Sequence, residues 1–350
     1  MKVDIIIVGL GLAGTLLANE LINSGKSVIV FDDPDQPKAS DVAAGIVNPV
    51  VFKRMTKSWM FDEAFPVLEK TYQQLEELVG TQLYFPLKIC RILGKDDLEF
   101  WKSKVISNDL QQIIGSIPLR SEFNHLINAP YGTGVIEKAG RLDIPKLIAG
   151  FTNYLNQKDL IRNCKFETEE LKFSRDLISY KNIIAEKIIF CEGPAAAQNP
   201  YFSKLKFKSS KGEVIDIHIP DLNLTELING EIFILPIGDG NYKIGATYSW
   251  DLLDWQITDS ARTELIGKFK NLFSGDFQIF NQQSGIRPTM HDRKPVIGFL
   301  PEFPQIGIFN GLGSKGVLLG PYFAKQFAEY ISGKTGNIPE EVNVQRYFKA

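Results

Sequence analysis

Gly9, Gly11 and Gly14, in the stretch IIIVGLGLAGTLLANELINSGKSVIVFDD (residues 5–33), restrict the fold more than any other feature of the chain. Ile5 to Val8 is a short continuous apolar run, the pattern of a strand buried on both faces. Apolar residues then recur at helical spacing through Leu12, Leu16 and Ile22 as far as Ser24-Gly25, a helix stop, and SVIVFDD predicts a second buried strand. Together they predict one βαβ unit of about 30 residues. In such a unit Gly9 permits the tight turn, Gly11 lets the backbone approach a pyrophosphate, and Gly14 lets helix and strand pack closely. Asp32, about 18 residues beyond Gly14, ends the second strand, where a carboxylate accepts hydrogen bonds from a ribose diol and repels a 2′-phosphate. The competing reading of the glycines is a tight structural turn.

A secretory signal would need a basic leader and a small-residue cleavage site, but this stretch has one lysine ahead of Asp4 and glycines at fixed spacing. Elsewhere no run approaches the roughly 18 apolar residues of a membrane span. A net charge of −2 argues against a nucleic-acid partner, and the one basic run, KLKFKSSK (204–211), reads as a solvated edge strand. Cys90, Cys164 and Cys191 lie far apart, which fits a reducing cytoplasm and offers no zinc site. With only His125, His218 and His291, a histidine-rich metal site is not expected, and no metal is assigned.

At 350 residues the chain exceeds the roughly 250–300 at which a single core stops growing, so two domains are expected. After the small-residue loop SDVAAGIVNP (40–49) come a predicted amphipathic helix at 60–79, strands at 83–93 and a helix at 96–108. A helix at 141–157 starts at Asp143 with Pro145 just inside. CKFET, LKFSR and LISYK read as short strands, and EKIIFCEG repeats the strand-then-glycine grammar of the opening. Residues 207–249 are β-rich with turns at Gly212, Gly230 and Asp239-Gly240-Asn241, 259–273 is helical, and Glu76/Glu77 read as a solvated helix face. Finally QIGIF, the turn N-G-L-G-S-K-G (310–316) and a long helix ending at Gly333 form a last βα unit. A nucleotide-binding layer split between the two ends of the chain implies an inserted second domain. The late glycine turn separates a flavin from a nicotinamide: backbone N–H groups at the start of a helix stabilise the negative charge that a reduced flavin carries on its N1–C2=O2 edge. Its other reading is a loop that merely turns the chain.

VGLGLAG with Asp32, SDVAAGIVNP, FCEG, LPIGDGNYKIGATY, GIRPTMHDRKPVIG (285–298) and GLGSKGVLLGP together resemble the D-amino acid oxidase and glycine oxidase superfamily of FAD enzymes, in the right order over nearly the whole chain. AGIVNP and GLGSKGVLL are most similar to the oxidase domain of the bifunctional enzyme that matures carboxymethylaminomethyl-uridine in tRNA. The resemblance implies an α/β fold: a Rossmann-like FAD-binding domain made of 1–55, 140–205 and 285–350, with an antiparallel-sheet substrate domain of 56–139 and 206–284. It implies non-covalent FAD, with Ser40, Asp41 and Gly45 on the loop beside the pyrophosphate and flavin ring. Gly193 ends a strand near the nucleotide, and Gly311, Gly313, Ser314, Lys315 and Gly316 form the flavin turn. Lys315 either approaches the flavin edge or stays solvated. Arg287 matches the arginine that holds the substrate carboxylate; its other reading is a structural ion pair, for instance with Asp292. Tyr248 falls at a substrate-pocket position or is a core tyrosine. Phe233 stands where glycine oxidases carry a pocket tyrosine, a departure that counts against glycine itself.

The expected activity is FAD-dependent oxidation of the C–N bond of an amino acid or N-substituted glycine, with oxygen or another acceptor reoxidising the flavin. The alternatives are a tRNA-maturation oxidase, a flavoprotein with a binding or subunit role and no turnover of its own, and a nicotinamide dehydrogenase.

Overall fold

The computed structural model describes residues 1–105, 110–115, 126–220 and 222–348; the end of the helix expected at 96–108, and His125, lie outside them. The opening unit forms as predicted: strand β1 (Lys2–Val8), helix α1 (Leu12–Asn23) and strand β2 (Val28–Asp32). A short helix α2 (Ala39–Val42), strand β3 (Ile46–Val47) and the hairpin β4 (Val50–Val51) and β5 (Thr56–Lys57) lead into α3 (Phe61–Val79). The apolar side of α3 is buried through Phe61, Leu68, Tyr72 and Leu75. Glu76, in contrast to the solvated reading, accepts the backbone N–H groups of Leu83 and Tyr84 at 2.8 Å each and so fixes the turn after the helix.

Strand β6 (Tyr84–Ile92), helix α4 (Asp97–Val105), strand β7 (Thr133–Leu142) and helix α5 (Ile144–Gln157) follow. The start of α5 is set as its sequence dictates, with Asp143 accepting from Lys146 N at 3.2 Å and Pro145 in the first turn. Next come β8 (Ile161–Asn163), β9 (Lys172–Phe173), β10 (Ile178–Tyr180) and β11 (Ile183–Phe190). CKFET is not a strand: pairing with β2 ends at Asn163, and the segment turns away into a 3₁₀ turn at Thr168–Glu170. The remaining elements are β12 (Ser210–His218), β13 (Leu227–Asn229), β14 (Phe233–Gly238), β15 (Asn241–Gly245), α6 (Asp259–Leu272), β16 (Gln278–Arg287), β17 (Val296–Phe299), β18 (Ile306–Asn310) and α7 (Gly316–Ile331).

Two large sheets result. The first runs β17-β18-β11-β1-β2-β8, with β9 and β10 attached beside β11; β18, β11, β1, β2 and β8 are parallel and β17 is an antiparallel edge. The chain leaves β1 toward β2 on one side and reaches β11 on the other, so the strand order reverses between β1 and β11, where open α/β sheets bind ligands at the carboxyl ends of their strands. The second sheet runs β16-β12-β15-β14-β13-β6-β7-β3 and is antiparallel except for the join between β13 and β6. The run 204–211 is therefore not an edge strand. Its end begins β12, which lies inside the sheet between β16 and β15, and Lys211 is buried there, its ammonium 2.5 Å from Asp254. Gly212 is likewise inside a strand, not at a turn.

Helices α1 and α7 lie against one face of the first sheet and touch each other closely: a Cβ on Gly320 would come 2.6 Å from Leu16 Cδ1. Among the described residues no helix is long and apolar enough to cross a membrane.

Candidate active site

A cavity of about 990 Å³ opens at the carboxyl ends of β1, β2 and β11 and continues beneath the second sheet to β12, β15 and β16. That size is at the upper end of the roughly 300–1,000 Å³ usual for ligand sites.

Its first end is built by the opening unit. Gly9 has φ +94° and its N–H donates to Phe31 O at 2.8 Å; a Cβ there would lie 2.7 Å from Cys191 O, so the crossing of β1 past β11 requires glycine. Gly14 does what its spacing implies, since a Cβ would lie 2.0 Å from Gly9 O. Gly11 caps α1, and the hydroxyl of Ser40 reaches that helix end from α2, accepting Leu12 N–H at 3.0 Å. Asp32 accepts Leu10 N–H at 2.8 Å through one carboxylate oxygen and faces Lys38 at 3.1 Å through the other. Gly45 lines the cavity where the loop presses on β7: a Cβ would lie 1.9 Å from Leu142 O. Gly193 also lines it, while Asp41 is exposed on α2 and stands outside the lining.

The second glycine turn meets this end of the cavity. Asn310, at the end of β18, donates to Gly193 O at 2.8 Å and accepts Gly311 N–H at 2.7 Å, which ties this turn to the one that follows β11. Gly313, Ser314, Lys315 and Gly316 line the cavity and lead into α7, and Gly311 packs behind them on Met290. The N-termini of α1 and α7 thus both open onto one cavity. Lys315 is half-buried, with Ser58 Oγ 3.4 Å from its ammonium; among the described residues no carboxylate pairs with it, and burial lowers its pKa.

The far end holds Arg287. Its guanidinium donates to Lys211 O at 3.3 Å and Thr247 O at 3.4 Å and lies 4.1 Å from the centre of the Tyr248 ring. Among the described residues it has no carboxylate partner; Asp292 pairs with Arg346 at 2.9 Å instead, which removes the ion-pair reading. Burial lowers its pKa, though an arginine stays charged. Gly212 explains how the guanidinium fits, since a Cβ there would lie 2.1–2.4 Å from its atoms. Tyr248 is not a core tyrosine but is exposed at the mouth. Phe233, Leu253 and Trp255 complete an apolar wall.

Sequence reasoning missed Glu192. It follows β11 within FCEG, lines the cavity, accepts from Asn199 Nδ2 at 2.9 Å, and is pushed by burial up to about 7. An acid directly before a strand-ending glycine was the available signal.

The sequence model of the FAD dependent oxidoreductase family, DAO, matches residues 4–330. The chain belongs to that family. Glycine oxidase from Bacillus cereus has the same fold, with a TM-score of 0.81 at 20% identity, covering 95% of this chain and 96% of that one. Iminodiacetate oxidase from Chelativorans sp. BNC1 superposes with a TM-score of 0.80 at 21% identity over 98% of each chain. The tRNA 5-methylaminomethyl-2-thiouridine biosynthesis bifunctional protein MnmC of Shewanella amazonensis is 22% identical over 98% of this chain but only 59% of its own length.

As an FAD dependent oxidoreductase the chain pairs a Rossmann-like FAD-binding sheet with a sheet-rich substrate domain. Its residues suit the cofactor: two helix N-termini and Lys315, which meets no carboxylate among the described residues, offer positive potential, and Asp32 stands at the end of β2.

Proposed function

We propose that this FAD-dependent oxidoreductase acts on a small amine that carries a carboxylate, an amino acid or an N-substituted glycine. The observation that supports this most is Arg287, a largely buried guanidinium that meets no carboxylate among the described residues, presented in the cavity of a flavin enzyme. A guanidinium fork takes a carboxylate bidentately, and burial strengthens the pairing. Gly9, Gly11, Gly14, Asp32, Ser40, Gly45 and Gly193 are proposed to hold the adenosine and pyrophosphate of FAD. Gly311, Gly313, Ser314, Lys315 and Gly316 are proposed to face its flavin, bound without a covalent link; Asp41 is assigned a supporting place on the same loop.

FAD supplies a hydride acceptor for the carbon that bears the amine. The chain's residues do the rest. Arg287 anchors the carboxylate and so fixes which C–H bond is presented. Phe233, Leu253 and Trp255 give the cavity an apolar wall, and an apolar surrounding favours the neutral amine that must react. Loss of hydride from carbon and a proton from nitrogen leaves an imine, which water hydrolyses to a carbonyl compound and a free amine.

The test is a panel of amines with peroxide and dye readouts. Turnover of glycine-type amines with loss of activity on their descarboxy counterparts is expected; equal turnover of both would remove Arg287 from the proposed role. The likeness to MnmC supports a second reading, oxidation of a modified uridine in tRNA, for which nucleoside analysis of tRNA from a deletion strain is the corresponding measurement.

A further inference from the structure

The segment from Tyr248 to Ile257, YSWDLLDWQI, forms neither helix nor strand, yet it puts six large apolar or aromatic side chains into ten residues. Tyr248, Trp250, Leu252, Leu253 and Ile257 are each 44–60% exposed, a concentration of apolar surface that soluble proteins usually reserve for binding. The loop is held firmly. Ser249 exchanges two backbone hydrogen bonds with Lys211, at 2.9 and 3.0 Å, and the Lys211 ammonium holds Asp254. Glu213 accepts both the N–H and the hydroxyl of Thr258, at 3.0 and 2.8 Å. All of these anchors sit on β12, the strand whose Gly212 seats the Arg287 guanidinium.

The apolar surface is continuous with the site. Tyr248, Leu253 and Trp255 line the cavity, and the Tyr248 ring both stacks on Arg287 and runs nearly parallel to Trp250, at 25° and 6.1 Å. An aromatic wall therefore begins at the carboxylate anchor and leads outward to solvent. The loop contains no lysine or arginine, and of its two acids Asp254 is taken by Lys211. It therefore offers no cation to pair with a second carboxylate. A flat apolar group, by contrast, finds three aromatic rings and three aliphatic side chains on this loop.

We infer that this loop is a specificity surface that binds an aromatic substituent on the substrate nitrogen, so that N-arylmethyl glycines are preferred to glycine, N-methylglycine and dicarboxylates. The inference rests on the reading of Arg287 as carboxylate anchor. Benzyloxyacetate and methoxyacetate, ether analogues of N-benzylglycine and N-methylglycine, test it without turnover as competitive inhibitors of the holoenzyme. Benzyloxyacetate is expected to bind at least tenfold more tightly, and the kcat/KM of N-benzylglycine to exceed those of N-methylglycine and iminodiacetate by a similar factor. Trp250→Ala and Leu252→Ser should each lower these ratios severalfold. A wild-type ratio near one overturns the inference without need of a variant, and so does a variant that weakens both acids equally, because that is loss of support for Arg287 rather than loss of a wall. It is also overturned if the variants change the sedimentation of the protein but not the ratio, which would make the patch a subunit contact. If neither acid inhibits and no carboxylated amine is oxidised, the anchor reading falls; if both acids inhibit equally, the anchor stands and only the wall falls.

Discussion

At Arg287 two substitutions separate charge from shape. Arg287→Lys keeps the charge but loses the fork and the stacking on Tyr248, and kcat/KM for a carboxylated amine should fall by roughly 1.5–3 kcal/mol, about ten- to a hundredfold. Gly212→Ala should do the same from the opposite strand, because its Cβ claims the space of the guanidinium, and flavin content should be unchanged. Steady-state kinetics and the flavin absorbance of the purified variants check both. Glu192 carries a pH prediction. Its carboxyl is raised from 4.5 to about 7, so between those values the folded protein holds a proton that the unfolded chain has released. Stability of the flavin-free protein therefore falls as pH rises through that window. Glu192→Gln should remove this part of the slope and stabilise the protein by roughly 1–3 kcal/mol at pH 8, with little effect at pH 4.5; urea titrations at the two pH values measure it. Arg287, the proposed carboxylate anchor, was legible as a candidate because the motif GIRP resembles a family element. Glu192 and Gly212 were not, because what matters about each is a neighbour about 7 or 75 residues away along the chain.

Among the elements, α7 shows how a local rule is broken and repaired at a distance. Pro321 lies inside the helix and has no N–H to give to Val317, four residues earlier. Val317 O instead accepts the hydroxyl of Tyr72, fully buried on α3, at 2.9 Å. Tyr72→Phe should thus leave a buried carbonyl unsatisfied, at a cost of about 1–3 kcal/mol, and loosen the helix start that lines the cavity. Thermal unfolding and flavin affinity of the variant test this; an unchanged melting temperature would show that another donor reaches Val317. The helix itself and its glycine turn were legible from periodicity and punctuation, as were α1, α3, α5 and both strands of the opening unit. The position of β12 was not. Basic residues suggested an edge, but Lys211 is neutralised inside the sheet by Asp254, a partner about 40 residues on that no local pattern announces.

Across the whole molecule, the cavity is walled by both sheets and by both ends of the chain, so cofactor binding and overall stability are linked. Free FAD at a hundredfold excess over its Kd should add about 2.7 kcal/mol and raise the melting temperature by several degrees, and a scanning fluorimetry titration reads this directly. No shift with FAD, against a control nucleotide, would contradict the placement of the site. The same closure has a consequence in time. The two helix N-termini that face the cavity are separated by some 300 residues of chain, and the bond that ties the second glycine turn to the turn after β11, Asn310 on Gly193, cannot form until β18 has been made. At 5–20 residues per second a ribosome needs roughly 15–60 s to pass from one helix to the other. On the proposed placement of the cofactor, flavin loading in the cell waits for β18 and α7 to be made, and starvation for the vitamin should leave behind apoprotein that already contains both.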